Sequence, residues 1–160
     1  MRAAIVRFVG VFFGCLLAFS ALTAAVGLQN RLGLAEQSIA RAAAYLARLG
    51  GSRAEVVEGN IILTGEARLQ VNHECTGVFV FVVLLSFMLA YPAPWGRKIL
   101  GMLAGVVLLS AVNIARIATL VRLVDFYPGL FEYFHEYVWQ GLFLMLTTLY
   151  AMAWVERAQT

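Results

Sequence analysis

Three short stretches carry most of the chain's reactive side chains: Asn72-His73-Glu74-Cys75-Thr76-Gly77, Asn113-Ile114-Ala115-Arg116, and His135 between Glu132 and Glu136. A thiol, a guanidinium and an imidazole together suit nucleophilic acyl transfer. The thiolate is the nucleophile, a cation favours it, and an imidazole moves the proton. Cys75 stands among polar neighbours at the threshold of the apolar run Val78-Phe79-Val80-Phe81. If it opens a helix, the helix N-terminus lowers its pKa, and first-turn amides are candidate oxyanion donors. Gly77 leaves room for a substrate backbone to approach, and the Thr76 hydroxyl lies beside it. Glu74 opposes thiolate formation, so a compensating cation is required. Asn113 and Arg116, three residues apart, lie on neighbouring parts of one helical face and suit a carbonyl, an oxyanion or a thiolate.

Each residue also has an ordinary reading. A lone cysteine at a helix end is usually a small hydrophobe. An arginine near the end of a membrane helix can snorkel to headgroups, although an intramembrane charge is a functional hypothesis by default. His135 follows the interfacial aromatic stretch Phe126–Phe134 and can be simply solvated. His73, two residues from Cys75, competes with it for the acid/base role, and spacing does not exclude it. Zinc is disfavoured, because no CxxC, HxxxH or HExxH spacing is present. No cofactor is called for.

The elements that position these residues follow from composition. Of 160 residues, 62% are hydrophobic and only 13% are charged. A soluble domain is nearer a quarter charged, so the chain belongs in a lipid bilayer. The net charge of +3 comes with scattered arginines and no basic patch, which excludes a nucleic-acid footprint. Two cysteines are too few for a disulfide framework.

The predicted fold is an all-α membrane protein: one domain over residues 1–160, built as a four-transmembrane-helix bundle. The predicted spans are about 8–28, 76–91, 99–121 and 137–155. Helix alternation puts Cys75, Arg116 and His135 on one membrane face. The 18 residues from Lys98 to Arg116 rise roughly 27 Å, placing Arg116 at the far interface near its helix end. Cys15 starts from the opposite face, so no Cys15–Cys75 disulfide is expected. Arg2 and Arg7 beside the first helix, with Arg97 and Lys98 in a short turn, place both termini in the cytoplasm and the site outside. Residues 29–74 then form an extracytoplasmic insertion. Within it, 35–49 reads as an amphipathic helix on the membrane or on the bundle, with Ile39, Ala42, Ala43 and Leu46 on its apolar face. Short strands follow, broken at Gly59-Asn60 and Thr64-Gly65, as a hairpin or three-stranded meander. Residues 122–136 read as a loop. The first helix also has a cleaved signal peptide as an alternative, with a small-residue site at Leu22–Gly27.

At these residues the chain resembles the exosortase/archaeosortase family of membrane cysteine transpeptidases. The motifs are Glu74-Cys75-Thr76-Gly77, Asn113-Ile114-Ala115-Arg116 and the histidine opening the last helix, and the resemblance covers about Val56 to Glu156. It implies Cys75 as nucleophile, Arg116 as electrostatic partner and His135 as acid/base, with Asn113, Thr76 and Gly77 in support. It also implies a bacterial inner-membrane enzyme with its site facing the periplasm or exterior. Its partners would be protein substrates carrying a C-terminal sorting signal: a short motif, a transmembrane helix and a basic tail. The compact length is similar to the short exosortase H type, and Thr76 stands where many members have serine. The acceptor nucleophile, whether lipid, glycan or water, is left open. The rival readings are a non-enzymatic four-helix membrane scaffold that binds a partner, and a membrane thiol oxidoreductase, which the lack of CxxC disfavours.

Overall fold

The computed structural model describes residues 2–26 and 33–159. Helix α1 (Arg2–Val26) and helix α2 (Gly33–Leu49) are followed by strands β1 (Glu55–Val57), β2 (Ile61–Thr64) and β3 (Ala67–Gln70). A 3-10 turn (His73–Thr76) leads into α3 (Val78–Ala90) and then α4 (Trp95–Phe126). A second 3-10 turn (Pro128–Leu130), the single-turn α5 (Phe131–Tyr133) and a π-helical turn (Phe134–Val138) run into α6 (Trp139–Gln159). Residues 27–32, where the expected insertion begins and the candidate cleavage site ends, lie outside the described residues.

Among the described residues, three stretches are long and apolar enough to cross a membrane: Ile5–Leu22, Trp95–Phe126 and Pro128–Ala158. The fourth expected span is a shorter apolar helix, α3, of 13 residues. Its rise is roughly 20 Å, against a hydrocarbon core of about 30 Å.

α4 is the spine, and it corrects the expected boundaries. Its 32 residues rise roughly 48 Å, so part of it must stand clear of the bilayer core. It takes in 122–126 of the expected loop 122–136, and the 3-10, α and π turns make most of the remainder helical. The chain breaks only at Tyr127 (φ −143°, ψ 62°), because Pro128 disfavours helical geometry in the residue before it. Arg116 consequently lies three turns inside α4 rather than at its end.

The projecting part of α4 is clad by the insertion. β1, β2 and β3 form an antiparallel meander in sequence order, with Val56 opposite Ile62 and Ile62 opposite Leu69. Its turns fall where expected, with Gly59 and Gly65 at positive φ. Ile62 from the sheet, Val121 and Ala118 from α4, and Ala40, Ala43, Ala44 and Ala47 from α2 close one core. Full burial of Ile62 and Val121 contributes about 1.5–3 kcal/mol each.

The buried face of α2 is an alanine stripe, not the expected Ile39/Ala42/Ala43/Leu46 face. Leu46 points outward at 41% exposed, and Ile39 is at the edge of the core. Small residues let α2 lie close on α4, and this contact outranks the hydrophobicity of Leu46. Its outward face carries Leu34, Tyr45 and Leu49.

A second core occupies the opposite end of α4. Gly101 and Gly105, one turn apart, receive the side chains of Trp154 and Tyr150 from α6, also one turn apart. A methyl at Gly101 would overlap the Trp154 indole, and one at Gly105 would come within 2.8 Å of the Tyr150 ring. Such small-residue contacts let membrane helices approach closely. Tyr150 Oη donates to Gly101 O (2.6 Å) and Trp154 Nε1 to Arg97 O (3.2 Å). Lys98 Nζ donates to Leu89 O (2.6 Å) near the C-terminus of α3, and Arg97 Nη1 to Ala158 O (2.9 Å) near that of α6. Both cations sit where helix carbonyls lack intrahelical partners. α1 packs along α3, with Phe8 edge-on to Phe87 at 5.8 Å. Between α1, α3 and α6 this leaves an apolar groove of ≈ 1170 Å³.

Candidate active site

Cys75 lies just before the first turn of α3 rather than within it. It occupies the preceding 3-10 turn, and Gly77 (φ 73°, ψ 10°) separates that turn from the helix. Glycine takes this left-handed conformation without the strain a side chain would bring, although a methyl there would only touch Phe143 and Phe81.

Two asparagines fix the turn. Asn72 caps it, accepting the Cys75 N–H at its side-chain oxygen (3.1 Å) and at its backbone carbonyl (3.0 Å). An Asx cap three residues ahead of the capped amide is a common turn-starting device. On the other side, Asn113 Nδ2 donates to Cys75 O (2.8 Å). Both backbone polar groups of the cysteine are thus committed to the scaffold. The Cys75 amide is therefore not a free oxyanion donor, and one N–H of the Asn113 amide is engaged by the cysteine's own carbonyl. Asn113 is 1% exposed, and its Oδ1 has no partner among the described residues. Thr76 is likewise buried, at 2% exposed, so its hydroxyl faces the protein interior rather than the approach to the thiol.

Arg116 lies on α4 one turn beyond Asn113. It is partly buried, and its Nε is wholly enclosed without a hydrogen-bond partner among the described residues. His135 comes from the π turn and stacks on Phe131, with ring centroids 5.5 Å apart and planes 11° apart. Cys75, Arg116 and His135, from three different elements, line one cavity of ≈ 60 Å³ together with Phe131, Leu120 and Val121. That volume admits a few water molecules but cannot enclose a peptide, so a peptide must approach along the rim. The arrangement places a thiol, an imidazole and a half-enclosed guanidinium around one small space, which is what thiol-based acyl transfer requires.

The side chains of His73, the competing histidine, and of Glu74 lie outside the described residues. Cys15 lies on α1, outside this cavity, and both cysteines are free. Asn72 and Phe131 are the site residues that sequence reading missed. Asn72 carried a legible signal, being a capping residue three positions before the cysteine. Phe131 sits one helical turn before His135, a spacing that permits ring stacking.

Helices of membrane-spanning length, an apolar lipid-facing surface and a cysteine–arginine–histidine cavity at one end define a multi-pass membrane protein with a candidate thiol active site. A model of the transmembrane exosortase family (Exosortase_EpsH) matches residues 6–154, and the chain belongs to that family. The match reaches further toward the N-terminus than the motif-bearing stretch and takes in most of α1. Comparison with curated proteins and with solved structures finds no match.

Proposed function

We propose that the chain is a membrane-embedded cysteine transpeptidase that cleaves the C-terminal sorting signal of exported proteins and passes them to an acceptor at the cell surface. The observation that carries this reading is the shared cavity of Cys75, Arg116 and His135. The three long apolar helices cross the bilayer, and the shorter α3 spans locally thinned lipid with the help of its preceding turn. Arg2, Arg7, Arg97 and Lys98 hold the Gly101 end in the cytoplasm, and the Cys75 end faces the periplasm.

His135 takes the proton of the Cys75 thiol, and the thiolate attacks the carbonyl carbon of the scissile peptide bond. The guanidinium of Arg116, held half out of water, stabilises first the thiolate and then the oxyanion. Charge in so dry a place acts more strongly than at the surface. As the C–N bond breaks, His135 returns its proton to the leaving amine, which departs with the sorting helix. A Cys75 thioester of the exported protein remains. The acceptor nucleophile loses its proton to His135 as it attacks the thioester, and Cys75 leaves and is reprotonated. Asn113 and Asn72 hold the cysteine backbone still throughout.

The test is co-expression with a protein bearing a sorting signal. Wild type should shorten it, and Cys75→Ala, inserted to the same level in the membrane, should leave it full length. Equal shortening by both would end the proposal.

A further inference from the structure

The π turn at Phe134–Val138 sets which side chain reaches the cavity. Trp139 N–H bonds to Phe134 O, five residues back, where an α-helix would reach back four. Beyond this turn α6 is regular, and its bundle-facing stripe runs Phe143, Thr147, Tyr150, Trp154. Phe143 is 3% exposed and lies 3.5 Å from a methyl built at Gly77, so the stripe points at the cysteine turn.

Seven residues back from Phe143, an uninterrupted α-helix would present Glu136 on that stripe. His135 would then be rotated roughly 100° away. The π turn takes up one additional residue and rotates what precedes it by about that amount. His135 accordingly lines the cavity, and Glu136 is exposed.

We infer that the π turn is a positioning device: it substitutes an imidazole for a carboxylate at the position facing Cys75 and Arg116. A carboxylate there would pair with Arg116 and oppose thiolate formation at Cys75. The catalytic consequence rests on the acyl-transfer reading above; the geometric one does not.

Two experiments separate these. In a Cys15→Ala background, His135→Cys and Glu136→Cys are each oxidised in membranes, and the linkage to Cys75 is measured by peptide mass spectrometry. His135→Cys should form the disulfide at least about tenfold faster, because bridging needs close, facing Cβ atoms. Equal rates, or a faster Glu136→Cys, overturn the inference. The second experiment reads processing. Exchanging the two residues (His135→Glu with Glu136→His) should lower it on the order of 100-fold or more. Deleting the exposed Tyr137 should close the π turn into an α turn with His135 still facing inward. That variant should keep processing within about threefold and leave its pH profile unmoved. An active exchange variant overturns the register. If wild type processes nothing, the proposed function fails, and the disulfide rates still decide the register.

Discussion

The two ends of α4 solve opposite problems. At the Gly101 end the polar groups that enter the packing are matched: Lys98, Arg97, Trp154 and Tyr150 each donate to a named carbonyl. At the Cys75 end lie all five buried side-chain polar atoms that lack a partner among the described residues, on Ser52, Thr64, Asn113, Arg116 and Trp139. An unmet buried polar group costs about 1–3 kcal/mol. Such sites persist where function requires them and the rest of the structure supplies the stability. The hollows differ in the same sense. The groove of ≈ 1170 Å³ is apolar and open beside α1, and the candidate thiol site is a cavity of ≈ 60 Å³.

Changes at the Cys75 end should therefore remove activity and spare stability, and changes at the Gly101 end should do the reverse. Cys75→Ala is the extreme case. Processing should fall below detection, a loss on the order of 10⁴-fold or more, with an unchanged melting temperature in detergent. Arg116→Ala and His135→Ala come next, each with a loss on the order of 10²–10⁴-fold in processing rate. Arg116→Ala should leave stability equal or raised, since it removes an enclosed, unpaired nitrogen; a large destabilisation would show that the guanidinium is a scaffold element.

At the other end the signs invert. Gly101→Ala forces the Trp154 indole to move and should destabilise by about 1–3 kcal/mol. This is measurable as a lower melting temperature at unchanged processing per folded molecule. Tyr150→Phe removes one hydrogen bond to Gly101 O and should cost about 1 kcal/mol. A loss of processing from either, at constant amounts of folded protein, would erase the distinction between the two ends.

Much of this was legible in the sequence, for reasons that also mark where it stopped. Long apolar runs can only be helices in lipid, so the apolar helices α1, α4 and α6 followed directly, whereas α3 is shorter than its expected span. The meander followed from Gly59 and Gly65, whose left-handed backbone needs glycine. Arg122 and Asp125 read as loop because charge ends a membrane span, but it does not end a helix, and α4 continues outside the lipid under the cover of α2. On α2 the reading chose the most hydrophobic face, and the protein chose the smallest. The roles of Asn113 and the π turn were hidden for a different reason. Both depend on what a distant segment does: the carbonyl of Cys75 in one case, the face of Phe143 in the other.

The central claim is that Cys75 carries the exported protein as a thioester. Purified protein incubated with a sorting-signal substrate, quenched in acid and digested, should yield a Cys75-containing peptide bearing the substrate's acyl fragment. Hydroxylamine should release that fragment, and His135→Ala should reduce its formation. Cleaved substrate without any adduct on Cys75, or an adduct on Cys15 instead, would contradict the account.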